Sequence, residues 1–217
     1  RNRLALSFHG NDERFRTRGR GRGQLAPPGS GGLRPEIDFT LISMRRLRAT
    51  FGLIGCGTMG GAILSGVINK GIVSRNRVFV YDRLRSRRNR LQRRLRVSSA
   101  ESNRDLVRRT KLILLAVKPQ DLASVAAEIR GVLNRGQIVI SILAGTPVAK
   151  LKRVLGNHAA LVRAMPNLGA EVGEAVTALT GSSASSLARA EAIFSGCGKT
   201  LFLAEKYFDL VTAVSGS

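Results

Sequence analysis

The chain has 217 residues, 43% of them hydrophobic, and a formal net charge of +22. That length allows one ordinary domain, or one domain and part of another, and no apolar run approaches the roughly 20 residues that a membrane-crossing helix needs. Two cysteines, Cys56 and Cys197, make neither a disulfide framework nor a zinc site, because zinc takes four ligands and both histidines lie far from them in sequence; the expectation is a soluble, cytoplasmic protein with two free thiols and no metal.

The first 47 residues read as an Arg/Gly/Pro-rich leader. They carry no periodic apolar face, so disorder outside the fold is expected. Three readings stand side by side. Met44 offers a start six residues before the first strand, which would make the upstream residues inert. The alternation Arg18-Gly19-Arg20-Gly21-Arg22-Gly23 is a pattern that touches RNA. A targeting segment is the third, and Asp12, Glu13, Glu36 and Asp38 count against it.

From residue 48 strands and helices alternate. Thr50–Ile54 is the first strand, and Met59, Ala62, Ile63, Gly66 and Val67 then recur at helical spacing until Gly71. Arg77–Tyr81 is the second strand, followed by an arginine-rich helix over Arg83–Leu95 with Leu84, Leu91 and Leu95 on one stripe. The apolar run Leu112–Val117 suits a parallel strand buried on both faces, and Leu122, Val125, Ala126, Ile129 and Leu133 mark the next helix. A strand over Gln137–Leu143, a helix ending at Leu155 and a strand over Ala160–Ala164 come next. Ala175–Leu179, a helix over Ala184–Phe194 and Thr200–Leu203 complete the pattern. This alternation predicts an α/β fold, a doubly wound (Rossmann) mostly parallel sheet with right-handed crossovers, over residues 48–204.

The basic charge does not by itself point to nucleic acid. It is concentrated in residues 1–50 and 75–111 and is mostly arginine. Nucleic-acid readers interleave aromatics for stacking; here there is no Trp, and Phe79 and Tyr81 fall in a predicted buried strand. The charge on the arginine helix reads most simply as a solvated face, and a basic RNA-binding module is kept only as an alternative.

Gly55-Cys56-Gly57-Thr58-Met59-Gly60 carries the chemistry. It is a G-x-G-x-x-G between a strand and a helix, the context in which the pattern binds a dinucleotide. Gly55 allows the tight turn, Gly57 lets backbone approach a pyrophosphate, and Gly60 lets the helix sit on the strand. The helix N-terminus then offers N–H groups and a positive dipole end to phosphate. Cys56 reads as a small filler in that turn. In such sheets the ligand lies at the carboxyl ends of the strands, which gathers Asp82-Arg83, Ala116-Val117-Lys118-Pro119 and Ser141–Gly145 around the turn. Asp82 falls where an acid would bind the adenosine ribose of NAD, or it is a turn residue closing the strand. Arg83 and Arg85 beside it would instead hold the 2′-phosphate of NADP. Lys118 is a rim cation or an ordinary exposed lysine. Neither His9 nor His158 has a triad partner, and the acids form no glycosidase or metal pattern.

Beyond these pieces, FGLIGCGTMGGAILSGVINKG, LILLAVKPQD, IVISILAGTP, LVRAMPNLGAEVGEAVTAL and DLVTAVSGS stand in one order across residues 50–217. In that order and spacing the chain resembles the pyrroline-5-carboxylate reductases. The resemblance implies reduction of 1-pyrroline-5-carboxylate to L-proline with NADP(H) or NAD(H). It implies that Ile54, Gly55, Cys56, Gly57, Thr58, Met59 and Gly60 wrap the pyrophosphate, and that Asn103 lies by the adenosine. Ala116, Val117, Lys118 and Pro119, with Ile142, Leu143 and Ala144, would line the nicotinamide half. Asn167, in Met165-Pro166-Asn167, and Glu205 would lie near the substrate. Each of the last group has a plainer reading: Asn103 as a helix N-cap, Met165 as core filler, Glu205 as a first-turn helix acid. Leu168-Gly169 stands where the family usually has Thr-Pro, and Leu143 where it often has Ala.

The resemblance also implies a helical domain beyond residue 217 that forms a homo-dimer or higher oligomer and carries the catalytic group. On that reading residues 205–217 are its first helix, this chain is a fragment, and it turns over little substrate alone. A related Rossmann reductase, of the β-hydroxyacid dehydrogenase or F420-dependent kind, is the alternative.

Overall fold

The computed structural model describes residues 47–208. Eight strands form one sheet: β1 (Phe51–Ile54), β2 (Val78–Tyr81), β3 (Ser98–Ser99), β4 (Leu112–Leu115), β5 (Ile138–Ser141), β6 (Ala160–Met165), β7 (Ala175–Gly181) and β8 (Gly198–Phe202). Six helices connect them: α1 (Thr58–Asn69), α2 (Arg85–Leu95), α3 (Asn103–Arg109), α4 (Leu122–Ile129), α5 (Val148–Leu155) and α6 (Ala184–Phe194). The order across the sheet is β3-β2-β1-β4-β5-β6-β7-β8. The chain therefore runs outward from β1 to β3, then crosses back to place β4 on the other side of β1. That reversal is the switch point at which open α/β sheets bind their ligands.

Alternation along the strands explains their unbroken apolar runs. Phe51 and Leu53 of β1, with Leu112 and Leu114 of β4, enter a core shared with α1, α2 and α6. Ile54, Ile113 and Leu115 enter a second core under α3, α4 and α5. Successive side chains of a strand point to opposite faces, and both faces are covered, so β1 and β4 are apolar throughout. The same logic separates the two sides of α2. Leu91 and Leu95 are buried, whereas most of its arginines are exposed. Leu84, expected on that stripe, precedes the helix and is 45% exposed.

Two features depart from the expected pattern. The helix α3 had no apolar stripe long enough to announce it. It is started by Ser102, whose hydroxyl accepts from Asp105 N at 3.0 Å, so the cap is Ser102 and not Asn103. The second feature is β7, which pairs antiparallel with β6. The link between them holds only a 3-10 turn over Leu168–Glu171. A parallel return needs a crossover of a dozen or more residues, usually a helix, so this short link folds the chain straight back. No helix among the described residues is long and apolar enough to cross a membrane. The predicted leader, apart from Leu47, and residues 209–217 of the predicted terminal helix lie outside the described residues; Glu205–Tyr207 forms a 3-10 turn.

Candidate functional site

The glycine turn sits at the switch point and is held from both neighbouring strands. Gly55 N donates to Tyr81 O at 2.9 Å, and Ala116 N donates to Ile54 O at 2.8 Å. Gly55 has φ +98°, and a Cβ there would lie 2.5 Å from Ala116 O. Only glycine meets both conditions. Gly60 is equally confined, since a Cβ would lie 2.5 Å from Gly55 O. Gly57 is the opposite case: a Cβ there would meet nothing within 4 Å. Its open side is the floor of a cleft of about 560 Å³, within the range of small-molecule and cofactor sites. Thr58, Met59 and Gly60, the first turn of α1, line that floor. The turn has no side-chain cap and no acidic residue, so its N–H groups and positive dipole end are available to an anion.

Asp82, at the end of β2, locks the turn. Its Oδ2 accepts from Cys56 N at 2.8 Å, and its Oδ1 accepts from Leu84 N at 2.9 Å. Arg87 Nη1 lies 3.8 Å from Oδ2. The carboxylate is thus both the turn residue closing β2 and a cross-link to the glycine turn. Beside it the Cys56 side chain is fully buried, and burial, reinforced by the Asp82 charge, pushes its thiol up to about 12. Cys56 therefore contributes its backbone to the site, and its thiol is an inert part of the core.

Three walls rise from this floor. Tyr81, Asp82, Arg83, Leu84 and Arg87 form the first. Ala116, Val117 and Lys118 follow β4; Gln120 and Asp121, in the 3-10 turn over Pro119–Asp121, and Ser124, Val125 and Glu128 of α4 continue that side. Asn103, at the start of α3, closes one end. It is 5% exposed, its Nδ2 donates to Glu128 Oε2 at 3.0 Å, and its Oδ1 has no hydrogen-bond partner. A buried acceptor without a partner calls for an explanation, and in a residue that lines a cleft a ligand donor is one such partner.

The structure gathers Ile54, Gly55, Gly57, Thr58, Met59, Gly60, Asp82, Arg83, Asn103, Ala116, Val117 and Lys118 around one cleft. Pro119 stands beside it, as the first residue of a 3-10 turn that leads into α4. Ile142, Leu143 and Ala144 follow β5 on the same edge of the sheet but do not line this cleft. The Leu143 side chain is 2% exposed and belongs to the core under α4 and α5, so its replacement of Ala fills the interior rather than reshaping the cleft. Asn167 follows β6 and accepts from Val176 N at 3.2 Å through Oδ1. Glu205 Oε1 accepts from Val148 N, the first residue of α5, at 2.7 Å, and from Arg163 Nη1 at 3.2 Å. Its carboxylate caps α5 rather than a helix of its own. The α4 residues were not anticipated. Their signal was present, because Asp121, Ser124, Val125 and Glu128 share one helix face by the i, i+3, i+4, i+7 rule, but the apolar stripe of α4 masked it.

The fold and this cleft together define a dinucleotide-binding α/β domain. Residues 50–145 match the family model described as NADP oxidoreductase coenzyme F420-dependent. The pyrroline-5-carboxylate reductase of Synechocystis is 38% identical over 169 residues, which is 76% of this chain and 62% of the relative. A Coxiella burnetii pyrroline-5-carboxylate reductase superposes with a TM-score of 0.74 at 26% identity, over 78% of this chain and 64% of that one. The Plasmodium falciparum pyrroline carboxylate reductase, solved with NADP bound, gives 0.70 at 29% identity over 78% and 63%. The chain belongs to the pyrroline-5-carboxylate reductase family. It spans about 62% of the length of the curated relatives it matches.

Proposed function

We propose that this chain binds NAD(P)H for the reduction of 1-pyrroline-5-carboxylate to L-proline. The observation that carries the reading is the contrast within the glycine turn. Gly55 and Gly60 have no room for a side chain, while Gly57 opens onto the cleft above the uncapped end of α1. That cradle fits a pyrophosphate, and the buried, unpartnered Asn103 Oδ1 would take a ribose hydroxyl donor. The nicotinamide, when bound, supplies the hydride that reduces the C=N bond. The residues of this chain bind and orient: Gly55 to Gly60 hold the phosphates, Asn103 the adenosine side, and Ala116 to Pro119 with Ile142 to Ala144 the nicotinamide side.

The reading treats residues 48–204 as the cofactor domain and places the group that protonates the imine in the part of the relatives this chain does not match. Asn167 and Glu205 stand toward that substrate side. A cytoplasmic homo-dimer or higher oligomer belongs to the same reading and rests on the family resemblance.

Titration of the 217-residue chain with NADPH and NADH, followed by nicotinamide fluorescence, should saturate below millimolar cofactor. No binding at millimolar concentration refutes the cofactor role. With 1-pyrroline-5-carboxylate added, the chain alone should oxidise little NADPH; full turnover would overturn the placement of the proton donor.

A further inference from the structure

We propose that the amino-terminal edge of the sheet, opposite the cleft, binds the phosphodiester backbone of a double-stranded nucleic acid. Strands β1 to β6 are parallel. The six segments that lead into them therefore meet at one end of the sheet, and the cleft lies at the other. Those segments are residues 47–50, 69–77, 93–97, 108–111, 130–137 and 152–159. They hold 14 Lys or Arg residues, all exposed, and no Asp or Glu. The topology thus gathers on one edge cations scattered in sequence from Arg48 to Arg153. Arg83 and Arg87, which line the cleft, are not among them.

Helix dipoles account for a small part of this charge. A helix C-terminus carries about half a negative charge, and α1 to α5 end on this edge, so the dipoles offset about two to three of the 14 positive charges. Arg48, Arg75, Arg77, Lys111 and Arg135 stand outside the α-helices altogether. Among the described residues one of the 14, Arg109, pairs with an acid, Asp105 at 2.8 Å. Lys70 Nζ and Arg77 Nη1 donate to the backbone carbonyls of Ser195 and Arg48, which leaves their charges without a counter-ion.

The side-chain types point to phosphate on a duplex. Of the 14, 11 are Arg, whose planar fork matches phosphate oxygens two at a time. The six segments contain no Phe, Tyr or Trp and none of the exposed large apolar side chains. Splayed bases thus find no stacking platform, which disfavours a single strand, and a lipid surface finds no apolar anchor. Six strands about 4.8 Å apart span about 24 Å, and a duplex presents roughly 14 phosphates over that length. Contacts of this kind position a protein on a duplex without reading its sequence.

The test is fluorescence anisotropy of the 217-residue chain with labelled RNA and DNA duplexes of about 20 base pairs, each in two unrelated sequences, from about 50 to 200 mM salt. Affinity should fall on the order of 100-fold to 1,000-fold across that range and differ by less than about threefold between sequences. Arg75, Arg108 and Arg135 are exposed and lie off the cleft. Arg75→Glu/Arg108→Glu/Arg135→Glu should weaken duplex binding at least about tenfold and flatten the salt dependence by about one contact per residue, whereas the triple Arg→Lys protein should keep both. Residues 1–46 are identical in all three proteins, so the difference reports the edge. Circular dichroism confirms that each variant is folded. Three results would each overturn the proposal: no duplex binding at about 50 mM salt and about 10 μM protein, undiminished binding by the folded Glu variant, or a preference for vesicles with about one-third phosphatidylserine over both duplexes.

Discussion

The carboxylate of Asp82 accepts a hydrogen bond from the backbone N–H of Cys56 across 26 residues of chain, at 2.8 Å. One side chain thereby ties the end of β2 to the middle of the glycine turn. The turn has no hydrogen bond of this kind from its own residues, so its geometry depends on a residue that sits on another strand.

Removing the tie should loosen the turn. Asp82→Ala leaves the N–H groups of Cys56 and Leu84 without their acceptor. An unsatisfied buried donor costs about 1–3 kcal/mol. Urea unfolding should show that loss, and NADPH affinity should fall with it. An unchanged unfolding midpoint would refute the latch.

Gly57 and Gly60 should separate stability from binding. Gly57 has φ −71° and ψ −173°, which any residue adopts, and open space beside it. Gly57→Val should change stability by no more than about 0.5 kcal/mol while reducing cofactor affinity at least tenfold. Gly60→Ala forces a Cβ against Gly55 O and should cost about 1–3 kcal/mol in unfolding measurements. The same loss of stability in both variants would contradict the assignment of Gly57 to the cleft.

Asn103 is oriented by Glu128. A carboxylate accepts only, so it must face the amide NH2, which leaves Oδ1 as the buried, unpartnered end of a residue that lines the cleft. Asn103→Leu should weaken NADPH binding about 5-fold to 100-fold, the range for one lost hydrogen bond. Glu128→Ala, which frees the amide to rotate, should produce a smaller loss. Calorimetric titration distinguishes the two, and no change in either variant would remove Asn103 from the site.

The two thiols predict a response to alkali. Burial raises Cys56 to about 12 and Cys197 to about 11 from the ordinary 9.0. Both ionise more easily when unfolded, so their contribution to stability is complete below pH 9 and is lost as pH rises through 11 and 12. Urea midpoints of the wild type should fall more steeply above pH 9 than those of Cys56→Ala/Cys197→Ala. Iodoacetamide at pH 8 should label neither thiol until the chain is unfolded.

Glu205 is a test of how the chain beyond β8 is held. Its carboxylate caps α5 and pairs with Arg163, which is 2% exposed and lies 4.7 Å under the Phe208 ring. Glu205→Ala should destabilise the chain by about 1–3 kcal/mol, read by urea unfolding. Glu205→Gln, which keeps an acceptor for Val148 N, should recover part of that loss. Equal stability of all three proteins would refute the cap.

Much of this molecule was legible in residue order alone. Apolar runs located seven of the strands and period-3.6 stripes five of the helices, because a strand covered on both faces is apolar along its length and a half-buried helix repeats its apolar residues once per turn. The two-residue strand β3 and the helix α3 were too short to show a period. The glycine turn was legible for a different reason: only glycine satisfies φ +98° at Gly55 and the contact at Gly60, so backbone geometry is written directly into residue type.

Roles that depend on a partner were not legible. Whether Asp82 faces a ribose or a backbone amide depends on where Cys56 N lies, and residues 26 apart in sequence meet only through the β1–β2 pairing. The Asn103–Glu128 pair and the bond from Val148 N to Glu205 are of the same kind. By itself, the sequence determined the fold class, the turn and the family, since those rest on local pattern. Only the tertiary structure decided which carboxylates are already engaged and which residues line the cleft, because a hydrogen bond between distant segments is a property of their packing.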